Sequence, residues 1–205
     1  MSTAMRTTAL LFVLKYSLLS SGEDGSDGSG TAWKFIGGPG EDMFIRYRNF
    51  YSDFSKRDNV RCTMASRTLM DNNTQTATYF TKWYNTTSNK SFSVLSEYNT
   101  SGNILTATLY FPIDNVTTFN MTNNYFFNYT DGLCAVVLMP HKDQDAQPSE
   151  RACEMWIRQG STESWNSKCD TVYSAVCGEM NITIYDKEYC EKIASEEDAS
   201  QTISS

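Results

Sequence analysis

The sequence predicts an all-β protein: an eight-stranded, up-and-down antiparallel barrel with a C-terminal helix and three disulfides. Three observations carry this reading. From Met43 to Arg158 the chain falls into about eight short stretches of alternating side-chain character, each ended by polar turn residues. Aromatics make up 13% of the chain and many fall on those stretches, more than a barrel needs merely to close. Six cysteines, an even number, stand beside a single histidine, which suits a disulfide framework and not a zinc site. The same alternation would serve a β-sandwich whose aromatics are plain core. An eight-stranded barrel has room for one small ligand.

The elements follow in order. Residues 1–21 read as a secretory signal: Arg6 gives a basic start, Ala9 to Leu14 an apolar core interrupted at Lys15, and Ser17 to Gly22 small residues for cleavage. No other run reaches the ~18–20 apolar residues of a membrane span, so a secreted, extracellular, soluble protein is expected, with no membrane partner. Residues 22–30, G-E-D-G-S-D-G-S-G, are a flexible leader, and a single domain is expected over 31–190. Thr31 to Ile36 suits one helical turn with Trp33 on its apolar side.

Period two then sets in. Met43, Ile45, Tyr47 and Tyr51 alternate with Phe44, Arg46, Arg48 and Phe50 as a first strand. Val60 to Met70, Thr76 to Tyr84, Phe92 to Tyr98 and Ile104 to Phe111 follow, the last two separated by the hairpin signal Asn-Thr-Ser-Gly-Asn. Val116 to Phe119 and Tyr125 to Tyr129 read as two shorter pieces, because Pro112 and several asparagines break the rhythm. Cys134 to Met139 is a compact apolar strand, Pro140 to Glu150 a polar loop, Cys153 to Arg158 the last barrel strand and Trp165 to Cys177 a helix. The tail 191–205 is acidic and serine-rich and is expected to fray.

Composition narrows the function. A net charge of −7, with no compact basic patch, excludes holding a nucleic-acid backbone. Asn72, Asn85, Asn89, Asn99, Asn115, Asn120, Asn128 and Asn181 each begin an N-x-S/T sequon, which marks a glycosylated surface and the same compartment as the disulfides. A hydrolase would need a nucleophile beside a base, and the one histidine, His141, lies in the polar loop between Pro140 and Lys142, where a surface role is expected. No enzyme, metal or cofactor is expected.

Six cysteines allow 15 pairings, so their number alone does not choose one. The order of residues does more. Cys62, then Leu133-Cys134-Ala135-Val136-Val137, a polar loop, Cys153-Glu154-Met155-Trp156, Cys169-x-x-x-Tyr173 and a terminal Tyr189-Cys190 together resemble the tick salivary lipocalins, the histamine-binding proteins among them. The resemblance runs from about Trp33 to Cys190 and is densest in the second half. It departs at Ala135, where amine binders carry Asp, at Met155 in place of Leu, and at Lys56 in place of an aromatic.

The resemblance implies a lipocalin barrel and the disulfides Cys62–Cys190 and Cys134–Cys169, with Cys153 and Cys177 left to form the third. It also implies sequestration, by a monomer, of a host inflammatory mediator, as in evasion of the host immune response. The first candidate is a biogenic amine, histamine or serotonin. A desolvated ammonium needs a carboxylate, and aromatic faces add about 0.5–2 kcal/mol. Asp53 and Glu154 fall where the family places amine-holding acids, with Phe50 and Trp156 as pocket aromatics and Phe126, Phe127 and Tyr129 as further candidates. The plainer readings are a solvated turn for Asp53, an ion pair with an arginine for Glu154 and barrel core for Trp156.

Ala135 and Lys56 favour a rival ligand, a leukotriene or other fatty acid. Its carboxylate would meet a base from the even face of the first strand (Arg46, Arg48), or Lys82 or Arg158. Strand register decides this, since a slip of one residue turns a whole set over. A closed barrel acting through its loops on a host protein is the remaining class.

Overall fold

The computed structural model describes residues 31–51, 58–112, 118–147, 150–160 and 167–203. The expected signal and leader, Asp53, Lys56 and Asn115 lie outside the described residues.

Eight strands run up and down: β1 Asp42–Arg48, β2 Val60–Asp71, β3 Thr76–Asn85, β4 Lys90–Ser101, β5 Ile104–Pro112, β6 Thr118–Thr130, β7 Cys134–Leu138 and β8 Cys153–Arg158. Each pairs antiparallel with the next, β8 pairs with β1, and β1 closes on β2. The barrel expected from the sequence is therefore present. At the β4–β5 tip the two-residue connection Gly102-Asn103 puts Gly102 at φ 59°, the left-handed position that this hairpin type fills with glycine.

Alternation divides each strand between two cores. Met43, Tyr79, Tyr98, Leu105, Phe127 and Trp156 point into the lumen and pack there. Phe44, Val136, Met155 and Ile157 point outward into a second cluster, to which helix α2, Ser167–Cys177, contributes Tyr173, Val172 and Val176 and in which Tyr185 lies on Phe44 at 4.3 Å. Cys134–Cys169 and Cys153–Cys177 fasten α2 to β7 and β8.

Helix α1, Thr31–Ile36, plugs one end of the lumen with Trp33, Phe35 and Ile36, all buried. Its C-terminal carbonyls have no helical partner. Arg158, fully buried, supplies one: its guanidinium donates to Phe35 O and Ile36 O, and to the Tyr79 hydroxyl at 2.9 Å. Tyr79 itself donates to Ile36 O at 2.7 Å.

The C-terminal segment finishes the closure. The β1–β2 ladder holds only from Asp42 to Phe44. Beyond it, the short strand β9, Ile182–Thr183, adds to β1; then Ile184 N donates to Arg46 O at 2.8 Å, and Cys62 N donates to Ile184 O at 2.7 Å. Ile184 thus bridges the two strands where they part, and Cys62–Cys190 locks the bridge.

Three expectations need correction. The two pieces expected around residues 116–129 are one strand, β6, because its register with β5 is unbroken from Thr118 to Phe126 and the asparagines Asn120 and Asn124 point outward. The tail expected to fray is helix α3, Lys187–Ile203. Asp186 caps it by accepting from Tyr189 N at 2.9 Å, Cys190 pins its first turn, and Glu, Lys and Ala sustain it. The even face of β1 is not one face: a bulge between Ile45 and Tyr47 leaves Phe44 outside while Arg48 turns inside. Of the expected sequons, Asn72, Asn89, Asn99, Asn120, Asn128 and Asn181 are exposed; Asn85 is half-buried, its side-chain Oδ1 accepting from Thr87 N and Ser88 N in the β3–β4 turn.

Candidate ligand-binding site

Besides Arg158 at the α1 end, the lumen holds charge at its opposite end. In the β1–β8 ladder Arg48 stands directly across from Glu154. Both face inward: along β8 the outward residues are Cys153, Met155 and Ile157, while Trp156 lies in the lumen. Glu154 is 4% exposed and Arg48 6%. Trp156 Nε1 donates to Glu154 Oε2 at 2.7 Å. The Arg48 guanidinium lies 5.2 Å over the ring of Phe50. Its Nε has no hydrogen-bond partner, and among the described residues no ion pair joins it to Glu154. The two charges face one lumen, each held by an aromatic neighbour.

The surroundings are mostly aromatic. Trp156 meets Phe127 edge-on at 5.8 Å and Tyr125 at 5.7 Å, and Tyr125 takes His141 at 5.2 Å. Burial raises the Glu154 carboxyl above the ordinary range, while Arg48 and the Trp156 hydrogen bond pull it back. Burial likewise pushes the Tyr98 and Tyr125 phenols far up, with the Glu154 charge adding to it, so both stay neutral donors. Thr63 Oγ1 is buried without a partner on the neighbouring wall.

Below this level the lumen is nearly full. A cavity of about 40 Å³ remains between Ile45, Thr63, Thr81, Tyr98 and Trp156, far short of the ~300 Å³ or more of a typical ligand site. Above it the wall stays apolar and partly exposed. Trp83 stacks on Phe92 at 5.9 Å, and Phe111 faces Phe119 at 6.3 Å. These residues share the strand parity of the buried lumen residues, yet Phe92 is 45% exposed, Phe119 55% and Met121 41%. Inward-pointing hydrophobics left in water form an apolar mouth, which is what a ligand entrance needs.

The residues singled out from the sequence sort as follows. Glu154, Trp156 and Phe127 meet in the lumen, and Phe50, 1% exposed, sits beside Arg48 and packs on Met139 and Tyr125. Asp53 lies outside the described residues. Phe126 and Tyr129 are outside the lumen; Tyr129 lies under Lys168 at 5.3 Å. Lys82 is on the outer surface, paired with Glu197 of α3 at 2.7 Å, and Arg46 faces outward toward Asp170. Arg158 does face inward, but the α1 carbonyls engage it. His141, expected at the surface, is half-buried: Pro140 opens a 3-10 turn, Pro140–Asp145, that lays the imidazole on Tyr125. Thr63, Tyr98, Tyr125 and the mouth aromatics went unremarked. Extending the lumen parity of Tyr98 along the hairpins would have found them.

An antiparallel eight-stranded barrel, plugged at one end and lined with aromatics and a buried acid toward the other, is a lipocalin-type ligand-binding architecture. The chain belongs to the tick histamine-binding protein family, whose model matches residues 23–192. Among solved structures it is similar to AM182 in a serotonin complex, at 14% identity over 82% of this chain and 97% of that one, with a TM-score of 0.52. It also resembles japanin from Rhipicephalus appendiculatus bound to cholesterol (10% identity, 78% and 99% covered, TM-score 0.49) and a biogenic amine-binding protein (14%, 75% and 86%, 0.48). No curated protein matches the sequence. The three disulfides pair as the resemblance implied, Cys62–Cys190, Cys134–Cys169 and Cys153–Cys177.

Proposed function

We propose that the protein is a secreted, non-catalytic monomer that sequesters a small amine mediator, histamine or serotonin, at the open end of the barrel. Glu154 carries the reading. It is a buried carboxylate facing the lumen, in contact with Trp156, near the Tyr98 and Tyr125 phenols, and in no ion pair among the described residues. An ammonium entering past the mouth aromatics would meet this charge in a medium that screens it weakly, with ring faces alongside. Asp53 remains a proposed second acid. Family membership supports the class of ligand, and three disulfides fit an oxidising compartment.

A second reading, a fatty acid or leukotriene, is favoured by Arg48, a buried guanidinium that forms no ion pair among the described residues, beneath an apolar mouth. Calorimetric titration with histamine, serotonin and leukotriene B4 separates the two. The amine reading expects tight binding of one amine, weakened tenfold or more by Glu154→Gln in a protein of unchanged near-ultraviolet circular dichroism. Amine affinity untouched by that substitution refutes the role of Glu154. Binding of leukotriene B4 alone moves the site to Arg48.

A further inference from the structure

Arg48 and Glu154 are nearest cross-strand neighbours of opposite charge, both more than nine-tenths buried, and still they are not ion-paired. Each is drawn aside. Trp156 holds one carboxylate oxygen, and the Phe50 ring takes the face of the guanidinium. Buried charges of this kind are costly until something compensates them.

A ligand of one sign compensates one group and strains the other. A bare ammonium gains Glu154 but sits within the repulsive field of Arg48; a bare carboxylate does the reverse. A molecule carrying both charges satisfies both groups and keeps the site electrically neutral. Cross-strand neighbours have Cα atoms roughly 4.5–5.5 Å apart, so the two charges of that molecule must lie close together. The aromatic mouth adds a preference for a flat ring on the same small molecule.

We infer that the open end of the barrel is built for a small aromatic zwitterion, its ammonium on Glu154 and its carboxylate on Arg48, as in an aromatic α-amino acid. This rests on the proposed lumen site and narrows its ligand class. The arrangement also accounts for the second reading above, because one half of the site is cationic.

Three probes that share an indole ring test it: tryptamine carries only the ammonium, indole-3-acetate only the carboxylate, and tryptophan both. Calorimetry on the disulfide-intact chain should show tryptophan binding at least tenfold tighter than either of the others. Arg48→Gln should abolish the preference, so that in the variant tryptophan binds no tighter than tryptamine. Arg48→Lys, which keeps the charge, should retain most of the preference and guards against misfolding of the first variant. Tryptamine equal to or tighter than tryptophan overturns the inference while preserving the amine reading. Indole-3-acetate tightest of the three, or no binding by any, overturns the inference, and the histamine and serotonin titrations above decide the amine reading separately.

Discussion

The Cys62–Cys190 bridge is the clearest point at which the C-terminal segment can be tested as a clasp. Replacing both cysteines by alanine removes a cross-link of sequence separation 128. In the chain-entropy account, closing a loop of that length is worth about 5 kcal/mol, against about 4 for Cys134–Cys169 and between about 3 and 4 for Cys153–Cys177. Those two have separations of 35 and 24. The long bridge has a further task, because it holds Ile184 between β1 and β2 where their own ladder has ended. Its loss should therefore do more than shift the urea midpoint. Hydrogen exchange should speed up at the Cys62 and Ile184 amides well before the β3–β4 and β5–β6 ladders open. The assay is urea unfolding of the three double variants side by side, with exchange followed by mass spectrometry. If the Cys62/Cys190 variant loses less than the Cys153/Cys177 variant, loop entropy does not rank these bridges. If the Cys62 and Ile184 amides stay as protected as before, the C-terminal segment is not the clasp.

Two other expectations follow from buried charge. Arg158→Met should cost about 3 kcal/mol in urea unfolding, since charge-assisted hydrogen bonds contribute roughly 1.5–3 kcal/mol each and the α1 carbonyls would lose theirs; Arg158→Lys should recover less than half, because a single ammonium cannot span Phe35 O, Ile36 O and the Tyr79 hydroxyl. The raised Glu154 carboxyl means that the folded state holds this proton more tightly than the unfolded chain. Its stabilising contribution is therefore complete below the unfolded value of about 4.3 and is lost as pH rises through the folded one. Thermal melts should show Glu154→Gln flattening the pH dependence in that window, and the same slope in both proteins would refute a buried Glu154.

What the sequence determined by itself is what local chemistry determines. Alternation and turn residues set most strands to within about three residues at either end, since a strand with one buried face must repeat every second position, and β6, whose asparagines break the rhythm, is the exception. The cysteine order, through the family it resembles, set the disulfides. Glu154, Trp156 and Phe127 came from the same resemblance, and the strand register then turns all three into the lumen. The tertiary structure decided matters that depend on a partner. A single bulge after Ile45 separates Arg48 from Phe44, and no pattern in β1 announces it, because the bulge answers to the β8 register. Arg158 and Arg48 are arginines of similar strand context, yet one caps the plug helix and the other, at the opposite end, lies over Phe50 with no ion pair among the described residues; α1 makes that difference from more than a hundred residues away. The tail looked unable to stay ordered on composition alone, and it is a helix because Cys62, far back on β2, holds its first turn. Short-range periodicity records which face a residue takes. Which charge remains available to a ligand is fixed only when the strands close on one another.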